Sequence, residues 1–199
     1  ASVRFNADLI GDQYLLIVAD ADARQGEADE TDNLLALPIR IDAPNLTLNG
    51  ATAPAAAGVG DHVSLTWTVQ NTSAFPAAAF WGDAVYFSQD AVFDAQDTRL
   101  FGRSNGDVAV PPGGSYTRTE IVSLSQAPIG DGFLLFVADA DDFFTSSSNV
   151  QLETDETDNF LALPISISGP DLIVTGASAP ASALFGEWID VTWTVANTG

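Results

Sequence analysis

Two segments of this 199-residue chain are near copies of each other at a fixed spacing. NLTLNGATAPAAAGVGDHVSLTWTVQN at 45–71 recurs as DLIVTGASAPASALFGEWIDVTWTVAN at 171–197, an offset of 126 that Trp67 and Trp193 show directly. EADETDNLLALPI at 27–39 recurs at the same offset as ETDETDNFLALPI at 153–165. Upstream of that pair, YLLIVADAD at 14–22 matches FLLFVADAD at 133–141 at an offset of 119; the seven residues of difference fall around DFFTSSSNVQ, where a surface loop absorbs them. A period this long reads as one folded unit per repeat. The expected organisation is the C-terminal part of a preceding repeat at 1–44, one complete unit at 45–169 and the N-terminal part of a following repeat at 170–199. The chain then reads as a window on a longer tandem array, because each partial copy by itself exposes half of a missing core.

Within the complete unit the hydrophobic period is two, not 3.6. Val63, Leu65, Trp67 and Val69 alternate with Ser64, Thr66, Thr68 and Gln70, which describes a half-buried strand. Further strands are expected at 46–49, 84–88, 99–104, 115–124, 133–138 and 160–167. The run FLLFVA at 133–138 is apolar on both faces, as a central strand must be, and PPGG (111–114) and PIGDG (128–132) mark turns between strands. Seven strands in one repeat predict an all-β fold, an immunoglobulin-like seven-stranded antiparallel β-sandwich in tandem repeats.

These segments resemble the CARDB domain, the cell-adhesion-related domain of bacterial and some archaeal surface proteins. PDLIVTGASAPASA with VTWTVANTG is similar to its opening strands, WGDAVYFSQDAVFDAQDTRLFG (81–102) to its middle and VADADARQGEADETDNLLALPI (18–39) to its acidic close. The resemblance implies repeated immunoglobulin-like sandwiches in large secreted or cell-surface proteins, without catalytic activity.

Composition decides what chemistry remains open. The chain carries 27 acidic and 6 basic residues, a net charge of −21, with no Cys and one His. It has no Lys either, since all six basic residues are Arg. Disulfides, Cys-based zinc sites, multi-His metal centres and Lys–Asn isopeptide cross-links are therefore excluded. The charge repels phosphate backbones and anionic lipid surfaces, so neither nucleic acid nor a membrane is an expected partner. No basic-then-apolar leader opens the sequence, and no stretch approaches the roughly 20 apolar residues of a membrane span. Because 46% of residues are hydrophobic, the charge belongs to an acidic shell around a core and not to a disordered chain.

That shell is concentrated in loops. Asp20, Asp22, Glu27, Glu30, Asp32 and Asn33 lie between two apolar strands, and Asp139, Asp141, Glu153, Glu156, Asp158 and Asn159 repeat them. Calcium takes six to eight oxygens, and a loop held at both ends by core strands can converge them. The competing reading is a solvated polar loop; repetition of E-x-D-E-T-D-N favours the cation. Asp90, Asp94 and Asp97 form a second calcium-like spacing, without the mid-loop Gly and terminal Glu of an EF-hand. An up-and-down walk through seven strands places the 139–159 loop at the pole where the chain enters the unit, with the 88–97 loop at the exit pole. Calcium at such joints would stiffen the string of repeats.

No nucleophile elbow or P-loop occurs, and His62 beside Asp61 reads as an exposed turn residue. Trp67 and Trp193 are expected in cores. Phe80, Trp81, Phe143 and Phe144 are candidates for an exposed interaction patch. The expected function is a non-catalytic structural or adhesive module of an extracellular, secreted or cell-surface bacterial protein, with calcium as cofactor. Its expected partners are neighbouring repeats, further copies of itself or a host or surface ligand, in a fibre or stalk. The alternative is a glycan- or protein-binding accessory module of a large secreted protein or enzyme.

Overall fold

The computed structural model describes residues 2–3, 5, 9–22, 24–26, 28–29, 31–77, 81–105, 108–140 and 151–199. Twelve strands appear among them: β1 (Gly11–Val18), β2 (Leu34–Ile41), β3 (Leu46–Thr52), β4 (Ala56–Gly58), β5 (His62–Asn71), β6 (Gly82–Ser88), β7 (Thr98–Ser104), β8 (Ser115–Ser123), β9 (Gly130–Val137), β10 (Phe160–Ser168), β11 (Leu172–Ser178) and β12 (Thr192–Asn197). No helix long and apolar enough to cross a membrane occurs among the described residues.

Strands β3 to β10 form two facing sheets, ordered β3-β5-β8 and β4-β10-β9-β6-β7. All pairings are antiparallel except that of β4, which runs parallel to β10. The seven expected strands are all present, and the fold is an all-β, immunoglobulin-like sandwich. The eighth, β4, is three residues of small side chains (AAG) and carries no period to read. It lets the chain leave the smaller sheet after β3 and close the edge of the larger one.

Alternation in β5 does what the pattern dictates. Val63, Leu65, Trp67 and Val69 enter the core, while Thr66 and Thr68 face outward and hydrogen-bond Thr119 and Thr117 of β8 at 2.9 and 2.8 Å. Strand β9 lies between β10 and β6 in its sheet, and apolar packing covers both of its faces. Leu134 and Phe136 join the core between the sheets, and Leu135 and Val137 join a second apolar cluster with Ala84, Tyr86 and Ala140 on the outer face of the larger sheet.

The core also holds a polar knot that sequence patterning missed. Asp83 at the start of β6 is fully buried. It accepts hydrogen bonds from Trp67 Nε1 of β5 at 3.0 Å and from the Tyr116 hydroxyl of β8 at 2.7 Å, and pairs with Arg118 Nε at 2.9 Å. Burial pushes its carboxyl upward, opposed by Tyr116, Trp67 and Arg118. One carboxylate thus ties both sheets together. Trp81 belongs to the same region: it is 2% exposed and donates from Nε1 to the Tyr116 hydroxyl at 3.2 Å. The expectation of an exposed patch at Trp81 is corrected, because this indole seals the sandwich beside the Asp83 knot. Phe80, Phe143 and Phe144 lie outside the described residues.

The repeated segments at the two ends form hairpins with the registers of their copies. In β1–β2, Leu16 faces Ala36 as Leu135 faces Ala162 in β9–β10. In β11–β12, Ala177 faces Trp193 as Ala51 faces Trp67, and a bulge between Val174 and Gly176 repeats the one between Leu48 and Gly50. Trp193, expected in a core, is 65% exposed where Trp67 is 1% exposed. Its strand has the right period, but among the described residues no second sheet lies over it.

Candidate metal centre

Strand β9 ends at Val137, and the chain turns sharply at Asp139, whose φ is +50°. The only other non-glycine residue with positive φ among the described residues is Asp20, at +40°, its counterpart in the first copy. The mouth of the loop is closed in both copies by one backbone hydrogen bond, Ala138 N–H to Asn159 O at 2.8 Å and Ala19 N–H to Asn33 O at 2.9 Å. The two copies therefore share the backbone shape at the mouth of the loop.

In the complete unit this shape brings carboxylates together. Asp139, Glu153 and Glu156 each place an oxygen within 4.8 Å of the others. Glu156 accepts from the Glu153 N–H at 3.1 Å and from Asn159 Nδ2 at 3.0 Å, which fixes its head over the site. Glu153 is 5% exposed; one carboxylate oxygen accepts the Leu46 N–H, and Oε1 is buried with no hydrogen-bond partner. Burial, opposed by the Leu46 N–H and reinforced by Asp139, Glu156 and Asp158, pushes the Glu153 carboxyl up to about 9. Asn159 is 6% exposed, and its Oδ1, like Oδ1 of Asp158, is buried without a donor.

A buried, partnerless carboxylate oxygen is costly unless a proton or a cation satisfies it. Three carboxylates and an amide oxygen form an all-oxygen donor set of the kind hard divalent cations take. The residues present fit a metal ion. A recess of about 570 Å³, lined by Tyr86, Phe93 and Phe160 together with Asp139, Glu156 and Asn159, opens beside the group and leaves room for water.

The loop is also clamped to the segment that leads into the sandwich. Asn45 Oδ1 accepts from Asp155 N–H at 3.0 Å and from the Thr154 hydroxyl at 3.1 Å, while its Nδ2 donates to Asp158 Oδ2 at 3.0 Å. Thr47 also donates to Asp158 Oδ2 at 3.0 Å, and Thr154 N–H reaches Pro44 O at 3.0 Å. Residues 154–158 thus sit where the chain enters the sandwich. Asp158 serves the clamp, and Asp155 closes a turn onto Thr157 that holds its carboxyl below the usual range. Asn45 was not among the expected site residues. Its only signal was position, between the Pro of a linker and the first strand.

Searches of protein families and of curated proteins return no match to this sequence. Among solved structures, similar chains include the crystal structure of a CARDB domain from Pyrococcus furiosus in complex with di-metal ions, at 16% identity over 65% of this chain and 97% of that one, TM-score 0.45. A beta-glucosidase from Listeria innocua in complex with glucose matches at 12% identity over 63% of this chain and 16% of that one, TM-score 0.40. A sporulation control protein from Bacillus subtilis matches at 11% identity over 80% of this chain and 69% of that one, TM-score 0.42. Likeness at these levels assigns neither family nor function.

The other expected ligands are placed differently. In the first copy Asp20 accepts backbone N–H groups from Arg24 and Gln25 at 3.0 and 2.7 Å, Asp22 pairs with Arg24 at the surface, Asp32 is exposed and Asn33 is half-buried. Glu27, Glu30 and Asp141 lie outside the described residues. Asp90, Asp94 and Asp97 line one shallow pocket without forming a carboxylate cluster. Asp90 caps Val92 N–H at 2.8 Å, Asp94 caps Gln96 N–H at 2.7 Å and Asp97 caps Asp94 N–H at 2.8 Å. In this loop each carboxylate closes a turn, the usual use of Asp in such sequences.

Proposed function

We propose that this chain is a non-catalytic structural repeat module of a secreted or cell-surface bacterial protein, whose acidic loop binds calcium and locks the incoming chain onto the sandwich within a stalk or fibre. The observation that carries the reading is the buried Glu153 carboxylate, with one oxygen on the Leu46 N–H and the other without a donor, beside Asp139 and Glu156. Calcium suits this donor set better than magnesium, because a loop of mixed carboxylate, amide and water oxygens is irregular, and magnesium demands a near-ideal octahedron. Asp139, Glu153 and Glu156 would supply the charge, with Asn159 Oδ1 within the same loop. Since Asn45 and Leu46 are held by the loop, an ordered loop means an ordered linker.

Titration calorimetry with calcium and with magnesium, alongside melting in calcium and in chelator, tests the reading. Calcium saturating the site a hundredfold above its Kd adds roughly 2.7 kcal/mol of stability, and the Glu153→Gln variant loses the gain. An unchanged melting midpoint in calcium overturns it.

A further inference from the structure

Three aromatic rings stand beside the acidic group, and each comes from a different part of the sandwich. Tyr86 lies on β6, Phe160 opens β10, and Phe93 belongs to the 88–97 loop, where the Asp90 and Asp94 caps shape the turns before and after it. The Tyr86 and Phe93 ring centroids are 4.9 Å apart, and Phe93 is 38% exposed. All three line the recess of about 570 Å³ that Asp139, Glu156 and Asn159 also line. That volume falls within the roughly 300–1,000 Å³ of small-molecule sites. Rings contribute nothing to a calcium shell, so a lining of this kind suits a ligand larger than the ion.

The polar lining of the recess narrows what can enter. Apart from the Tyr86 hydroxyl, its polar side chains offer acceptors only: Asp139, Glu156 and Asn159, whose Nδ2 is already given to Glu156. Asn159 is 6% exposed, and its Oδ1 has no donor. Calcium takes six to eight oxygens. Glu153 has one oxygen beyond the one held by the Leu46 N–H, and Asn159 has one, so Asp139 and Glu156 would each have to give two to reach even the lower end. Oxygens standing in the recess complete the shell. Three carboxylates around a divalent cation leave the site negative, in a chain of net charge −21, so an anion is turned away. A neutral hydroxyl gives its oxygen to a cation and its proton to a carboxylate at the same time. A ring that carries such hydroxyls together with an apolar C–H face is a sugar. We propose that the recess binds a neutral sugar ring of a glycan, with its C–H face on Phe93, Tyr86 and Phe160 and neighbouring hydroxyls at Asp139, Glu156 and Asn159. Such binding rests on calcium at the same group and adds a ligand to it.

Saturation-transfer NMR of the 199-residue chain with glucose, mannose, galactose and N-acetylglucosamine tests this, in calcium and in chelator, with calcium uptake measured separately by calorimetry. At least one of these sugars is expected to bind in calcium and to lose binding in chelator, and the anionic sugar glucuronate is expected not to bind. Phe93→Ala is expected to weaken the sugar about tenfold while calcium affinity stays at its wild-type value. Phe93→Trp restores a ring and with it the sugar, and melting checks that both variants are folded. No sugar on a calcium-loaded chain, binding that persists in chelator, or binding indifferent to Phe93→Ala overturns the proposal. Arginine methyl ester that binds in chelator and is released by calcium, with no sugar bound, also overturns it, and makes the recess a seat for a basic side chain. A chain that takes up no calcium refutes the cation reading itself, whereas one that takes up calcium and no sugar refutes this inference alone.

Discussion

The Trp67 indole donates its N–H to Asp83 at 3.0 Å across the interface between the two sheets, and the same carboxylate receives Tyr116 and pairs with Arg118. A core of aliphatic and aromatic side chains is non-directional; this knot sets how the sheets face each other. Asp83→Ala leaves the Trp67 and Tyr116 donors without an acceptor and a mostly buried guanidinium without its carboxylate, held only by Ser104 O at 3.0 Å. It is expected to cost about 3–5 kcal/mol in denaturant unfolding, whereas Tyr116→Phe, which removes one donor to Asp83 and the acceptor of Trp81 Nε1, costs about 1–3 kcal/mol.

Glu153 makes the stability of the metal-free protein fall as pH rises. Its carboxyl is pushed up to about 9 in the folded state from an ordinary 4.5, so the folded state holds the proton more tightly than the unfolded chain does. Below about pH 4.5 both states are protonated and the group is neutral to stability; between there and about 9 the folded state loses ground progressively. Unfolding in chelator across this window is expected to show the decline, and Glu153→Gln is expected to flatten it.

Cation uptake at neutral pH must displace that proton. Calorimetric titration with calcium at pH 7 in buffers of different ionisation enthalpy is expected to report release of about one proton per site. Equal heats in all buffers would show that Glu153 takes no part.

Asn45 supports the site from outside it. Replacing it with Ala removes the acceptor of Thr154 and Asp155 and a donor to Asp158, so calcium affinity is expected to fall about tenfold or more and stability by about 1–2 kcal/mol. Titration and unfolding of the same variant measure both.

The 88–97 loop offers the opposite expectation. An Asp90→Asn, Asp94→Asn, Asp97→Asn triple variant keeps the side-chain oxygens that cap its turns. Calcium stoichiometry and affinity by titration are expected to match wild type.

Much of the fold was legible because its signals are local. Alternation from Val63 to Val69 marks a strand wherever that strand packs, and the two-faced run at 133–138 marks a central one. Strand β4 was hidden because three small residues carry no period. The acidic loop could be located, but not divided into ligands: Asp139, Glu153 and Glu156 converge, Asp158 turns to Asn45 and Thr47, and Asp155 closes its own turn. Asp90, Asp94 and Asp97 show the limit most plainly, since calcium-like spacing and turn-capping spacing are the same spacing. Trp81, flanked by Phe and Gly in an apolar loop, reads as a surface patch until Tyr116 of a distant strand is seen to receive its N–H.

By itself the sequence determined the repeat, the strands and the acidic loop at fixed register, because hydrophobic period and turn chemistry act between neighbours in the chain. Only the tertiary structure decided that Glu153 lies against Leu46, 107 residues away, with an oxygen left over. It also decided that Asp83 is the knot of the core. Burial and pairing depend on what arrives from elsewhere in the chain, and a side chain's identity carries no record of which partner that will be.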